Sequence, residues 1–167
     1  MRILGVDPGS RMTGYGIVEH VNGRLVHVDH GAIKTGVGTF PHRLVDVQEN
    51  LSRLIQAHVP NAMVVEEAFY ARNVQSALKL GHVRGVVLLT AALHKIEVYE
   101  YSPMEIKKAL TGYGSAEKEQ LRYMVCALLQ LDRVFSLDAS DALAAAICHA
   151  HAGQFHKCIQ NEKIKIN

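Results

Sequence analysis

The chain has 167 residues, a length suited to one compact domain, and 49% hydrophobic against 20% charged residues supplies apolar mass for a core. That balance excludes a globally disordered chain. A formal charge of +2 is too small to mark a nucleic-acid binder by itself, so any basic face has to be local.

The first segment, Arg2 to Asp7, is a near-continuous apolar run ending on a carboxylate, the pattern of a strand buried on both faces. Pro8-Gly9-Ser10 is a turn. Thr13 to Glu19 and Leu25 to Lys34 are two more strand candidates, and Asn22-Gly23 between them is a strong hairpin signal. Pro41 to Ala57 carries Leu44, Val47, Leu51, Leu54 and Ile55 at helical spacing, with Pro41 suited to a first turn. Ala62 to Glu66 is a second apolar run that ends on an acid and reads as a strand. Gln75 to His94 predicts a long helix, apolar on more than one side, followed by a short strand at Glu97 to Tyr101. Met104 to Leu110 is a short helix, and Ser115-Ala116-Glu117-Lys118 is a capping sequence for a helix that runs to Leu129. Asp138 to His151 is an Ala-rich helix, and the polar tail beyond Gly153 reads as frayed.

The order βββαβαβααα implies an α/β protein with a mixed sheet and helices on both faces. Right-handed crossovers place the Ala62–Glu66 strand parallel to the first strand and beside it. Three cysteines (Cys126, Cys148, Cys158) are an odd set, as expected of reduced thiols. Asp7 interrupts the N-terminus before a signal-peptide core could form. The longest apolar stretch, Gly85 to Leu93, is about half the ~20 residues of a membrane helix, so a soluble cytoplasmic protein is expected.

Asp7 and Glu66 each close a buried strand, so parallel neighbours would bring both to one C-terminal sheet edge. Asp138 and Asp141 open the last helix at i, i+3 and share a face. Clustered carboxylates repel one another and call for a cation or a proton. Hard oxygen ligands select Mg²⁺ or Mn²⁺, and such ions activate a water and stabilise the leaving oxygen of a phosphodiester. Each acid alone has an ordinary explanation as a turn former, a helix cap or a solvated strand end, so the function rests on their convergence.

Five runs carry a resemblance to a known family: Gly5-Val6-Asp7-Pro8-Gly9-Ser10-Arg11-Met12-Thr13-Gly14-Tyr15-Gly16, Val65-Glu66-Glu67-Ala68-Phe69-Tyr70-Ala71-Arg72-Asn73, Ser76-Ala77-Leu78-Lys79-Leu80-Gly81, Gly114-Ser115-Ala116-Glu117-Lys118 and Asp138-Ala139-Ser140-Asp141-Ala142-Leu143-Ala144. In this order and spacing, from residue 2 to about residue 151, the chain resembles the RuvC family of Holliday junction resolvases. The resemblance implies a ribonuclease H-like nuclease domain over residues 1–152, with 153–167 a flexible polar tail. It implies a Mg²⁺-dependent crossover junction endodeoxyribonuclease, with one or two ions per subunit and Mn²⁺ able to substitute. A homodimer would nick two strands of a four-way junction symmetrically during recombination and repair, together with the RuvA–RuvB branch-migration complex.

By resemblance the metal ligands are Asp7, Glu66, Asp138 and Asp141, with Glu67 standing where relatives often have a neutral residue. Lys107 and Lys118 would hold the scissile phosphate, against the plainer reading of a solvated helix face. Phe69 would stack on an unpaired base and Arg72 would touch DNA, against the alternative that the rings are core. Arg72, Lys79, Arg84 and Lys108 are candidates for backbone contacts. The apolar face of Gln75–His94 suits either a two-fold dimer or burial within one subunit. Cys148, His149, His151, His156 and Cys158 fit no zinc spacing.

Three rivals stay in view. The Gly-rich opening is similar to the phosphate-binding hairpin of the actin, Hsp70 and sugar-kinase superfamily, although those proteins clamp nucleotide between two duplicated domains. The others are a ribonuclease H-like nuclease acting on another nucleic acid, and a non-catalytic junction-binding protein.

Overall fold

The computed structural model describes residues 1–67, 73–133 and 136–164, with side chains as far as residue 152. Strands β1 (Arg2–Asp7), β2 (Met12–Val21) and β3 (Arg24–Lys34) come first. They are followed by α1 (Phe40–His58), β4 (Ala62–Glu66), α2 (Val74–Leu93), β5 (Glu97–Tyr101), α3 (Pro103–Thr111), α4 (Lys118–Leu129) and α5 (Leu137–Ile164). The sheet order is β3-β2-β1-β4-β5. β1 runs antiparallel to β2 and parallel to β4, and β4 is parallel to β5, as the crossover rule requires.

The β2–β3 turn bears out the hairpin signal. Asn22 (φ 50°) and Gly23 (φ 79°) both take left-handed backbone, which suits the right-handed twist of the flanking strands. At the start of α4, Glu117 is the cap: its N–H donates to Gln120 Oε1 at 3.0 Å in a reciprocal box.

One region departs from the expected elements, and another carries a property the residue pattern did not announce. α5 does not stop at His151 but continues as helix to Ile164. α2 is long and apolar enough, by length and composition alone, to cross a membrane, a property the shorter Gly85–Leu93 run concealed. Its Val83, Val87, Thr90 and Ala91 are buried against the protein's own core.

Strand alternation divides that core in two. Leu4, Val6, Ile17, Met63 and Val65 face α1 and α2, where they meet Val47, Leu51, Val83 and Val87. Ile3, Val18 and Val64 face the other way, against α3, α4 and α5. Each fully buried aliphatic side chain contributes ~1.5–3 kcal/mol, so both layers hold the sheet firmly.

On the second face, α5 lies against strand backbone. A Cβ added to Gly5 would overlap the Ala142 carbonyl, and one added to Gly14 would overlap the Asp138 carbonyl and crowd its Cβ at 2.8 Å. At Gly16 the added carbon would stand 2.6 Å from Leu143 Cγ. These glycines allow the Ala-rich face of α5, buried at Ala139, Ala142 and Ala146, to seat directly on β1 and β2.

Gly14→Ala is therefore expected to destabilise the protein by ~1–3 kcal/mol or more, because backbone rather than a flexible side chain has to yield. Thermal melting checks this: unchanged stability would mean that α5 tolerates being lifted from the sheet.

Candidate active site

Alternation also sets the direction of the acids. Ile3 and Gly5 face α5, so Asp7, two residues on, points the same way from the end of β1. In β4, Val64 faces α5, and so does Glu66 at the strand's end. Glu67 falls on the opposite parity, with its N–H donating to Tyr101 O at 2.9 Å. Asp138 and Asp141 lie in the first turns of α5, over Gly14 and beside Gly5. Behind Asp7 the turn is tied down by Thr13, a buried residue whose hydroxyl donates to Gly9 O at 3.2 Å.

Electrostatics show how closely these groups feel one another. The Asp7 carboxyl is pushed up to about 8, first by burial and then by the charges of Glu66, Asp141 and Asp138. Burial also raises Glu66, with Asp141 adding to it while Lys118 and Lys107 oppose. Asp141 is raised by burial against the pull of Lys118.

Lys118 opens α4, and its Nζ reaches Asp141 Oδ2 at 3.4 Å. The ammonium pKa is raised, chiefly by that carboxylate. A cavity of about 250 Å³ is lined by Glu66, Asp141, Lys107, Lys118, Pro103, Ile106 and Leu121. Both cations thus border the acids, and an apolar wall closes one side.

Every donor in the acid set is a carboxylate oxygen, which fits a hard divalent ion. Among the described residues no group of three or more His, Cys, Asp or Glu side chains stands close enough to hold a metal ion by itself. Mg²⁺ is commonly held by one or two carboxylates, with waters and substrate phosphate completing its shell.

Other expected residues fall differently. Phe69, Tyr70 and Arg72 lie outside the described residues. Arg84 is committed within the protein, donating to Glu66 O at 2.8 Å and pairing with Glu100 at 2.6 Å. Lys108 stays exposed on α3. Of the Cys/His group, His149 Nδ1 is 2.9 Å from the Tyr101 hydroxyl, whereas His151 Nδ1 lies 3.4 Å from Ala109 O. These rings turn to different neighbours.

The glycine seat of α5 was missed in the sequence, where Gly14 and Gly16 read as part of a Gly-rich opening. Their spacing of two within a strand was the available signal, since it places bare backbone repeatedly on one face.

Residues 3–149 match the family described as crossover junction endodeoxyribonuclease RuvC. The chain belongs to the RuvC family. The RuvC of Geobacter sulfurreducens is 52% identical over 153 residues, covering 91% of this chain and 93% of the relative. That of Legionella pneumophila subsp. pneumophila is 45% identical over 150 residues, covering 89% and 86%. Thermus thermophilus RuvC superimposes with a TM-score of 0.85 at 31% identity, covering 93% of this chain and 97% of that one. The same protein in complex with a Holliday junction substrate gives 0.88 at 31% identity, covering 93% and 96%. A yeast mitochondrial Holliday junction resolvase shares the fold, with a TM-score of 0.74 at 15% identity over 99% of this chain and 84% of its own. The mixed five-stranded sheet with helices on both faces is thus a ribonuclease H-like fold, as the RuvC resemblance implied.

The raised acids have a consequence for stability. Folded Asp7 holds its proton up to about pH 8, whereas unfolded Asp7 loses it near 3.8, so without divalent ions stability falls as pH rises across that window. Asp7→Asn removes the cost. In chelator at pH 8 it is expected to melt above wild type, and the gap should close toward pH 4. Added Mg²⁺ should raise the melting temperature of wild type more than that of the variant. A variant that melts lower at pH 8 would show that Asp7 is not held against its neighbours' charge.

Proposed function

We propose that this RuvC chain is a divalent-metal-dependent endonuclease that resolves Holliday junctions by symmetric nicking of two strands in recombination and DNA repair. The observation that carries the reading is the electrostatic gathering of Asp7, Glu66, Asp138 and Asp141 at one sheet edge, in a chain whose relatives are crossover junction endodeoxyribonucleases.

Asp7, Glu66, Asp138 and Asp141 would hold Mg²⁺, or Mn²⁺ in its place, as one or two ions per subunit. When bound, such ions supply an activated water and neutralise the charge that builds on the phosphate. The acids orient the site, and the mutual repulsion seen in Asp7 is relieved by cation binding. Lys107 and Lys118 supply positive charge from α3 and α4 toward the phosphate oxygens, in a corner where Pro103, Ile106 and Leu121 limit water. Phe69 would stack on a base at the junction centre, with Arg72 beside it on the backbone.

A homodimer formed through α2 fits this work, because two-fold symmetry presents equivalent sites to two strands. Leu78, Leu89 and Leu93 are 58%, 56% and 64% exposed in one subunit. Gly81 and Gly85 have open space where a Cβ would stand, leaving room for a second helix. Leu89→Glu should shift the protein from dimer to monomer in sedimentation; a dimer that survives would place the contact elsewhere. The RuvC likeness also supports work beside RuvA–RuvB in the cytoplasm.

Asp7→Asn and Asp141→Asn are expected to reduce Mg²⁺-dependent cutting of a synthetic four-way junction to background while junction binding persists. Lys118→Ala should lose ~10²–10³ in cleavage rate, as removal of a transition-state charge partner does. Wild type that binds the junction but never nicks it with Mg²⁺ or Mn²⁺ would reduce the protein to a scaffold. Faster cutting of duplex or RNA–DNA hybrid would redirect it to another substrate.

A further inference from the structure

A second cationic site lies at the same sheet edge, on the face that α3, α4 and α5 do not occupy. β3 runs parallel in direction to β1, so the chain leaves it and enters α1 at the edge where Asp7 sits. α2 begins at that edge too, where its Ser76 and Lys79 stand beside Ser10 and Arg11. Between them, Ser10, Arg11, Phe40, Arg43, Ser76 and Lys79 line a notch of about 470 Å³. Among the described residues its lining holds three cations, two hydroxyls and no carboxylate.

Arg2, Arg53 and Arg84 each pair with a glutamate, whereas among the described residues Arg11, Arg43 and Lys79 pair with no acid. Arg43 Nε donates to Gly38 O at 3.3 Å, which orients the guanidinium. Arg11 is held by its backbone, its carbonyl accepting from the Thr35 N–H at 3.3 Å and hydroxyl at 3.1 Å. The first acid along α1, Asp46, is turned to the Gly36 N–H at 2.8 Å, and neither α1 nor α2 has an acidic residue in its first turn.

We propose that this notch binds successive backbone phosphates of the DNA, one to each of Arg11, Arg43 and Lys79, holding a strand that crosses the sheet edge from the Lys107/Lys118 side over the carboxylates to the α1/α2 side. It rests on the nuclease reading above and adds to it a second anchor. Uncompensated Arg and Lys around a polar recess suit a phosphodiester, and hydroxyls at Ser10 and Ser76 add neutral donors. Such contacts position DNA without reading its sequence.

The test is the salt dependence of binding to a synthetic four-way junction by the full chain in chelator. Each lost phosphate contact lowers the slope of log K against log[salt] by ~0.9. Arg11→Gln/Lys79→Gln is expected to lower it by ~2 and to weaken binding about tenfold or more at moderate salt. Arg43→Gln alone should lower it by ~1, and Arg11→Lys, which keeps the charge, should leave it near wild type. Arg24→Ala, an exposed cation at the opposite edge, serves as the control and should change neither quantity. If wild type binds and cuts the junction while the double variant keeps wild-type slope and affinity, the notch is not a phosphate site and the nuclease reading stands. If wild type binds no junction, both fall together.

Discussion

The site depends on how closely α5 can approach the sheet. Asp138 and Asp141 belong to a helix, while Asp7 and Glu66 belong to strands, and only direct contact of helix on strand backbone brings the two pairs into mutual influence. Gly5 and Gly14 make that contact by leaving no side chain between the layers. Alanine on the facing surface of α5 completes it, because larger residues would hold the helix off however well they buried apolar area. Close packing here does more than stabilise, since it sets the distance over which four like charges act.

That distance leaves a protein whose most sensitive corner is at odds with itself until a cation arrives. Asp7, Glu66 and Asp141 are raised by burial and by neighbouring carboxylates, and Lys118 gives only partial relief from 3.4 Å. The tension is held at element ends, where β1, β4 and α5 are each fixed by a buried body. The supporting layers lose nothing by it: Val6, Val64 and Leu143 are fully buried immediately behind the charged residues.

Much of this was legible from residues alone, for reasons specific to each element. Apolar runs that stop on a carboxylate marked β1 and β4 because a strand buried on both faces tolerates charge only where it leaves the core. Asn22-Gly23 fixed the hairpin because few residues accept two left-handed positions in succession. Other features stayed hidden. Arg84 was one of several candidates for a DNA backbone contact, and its partners within the protein, Glu100 and the Glu66 carbonyl, are brought to it only by folding. Arg11 and Arg43 stand far apart in sequence and meet only through the sheet's topology, so no local pattern joins them. The continuation of α5 past His151 had only a thin signal, Ala152, Phe155 and Ile159 at helical spacing in an otherwise polar stretch, and its helical turns extend a helix already begun.

The separation of the core into two clusters has a consequence of its own. The sheet acts as a bulkhead: side chains of the α1/α2 layer and of the α5 layer touch the same strands from opposite sides. A void opened behind Val47 or Val87 would be felt around Leu143 only through bending of the strands themselves, so energies of substitutions in the two layers should largely add. One layer can therefore drift in sequence, changing how the molecule grips its surroundings, while the other keeps the charged corner in register.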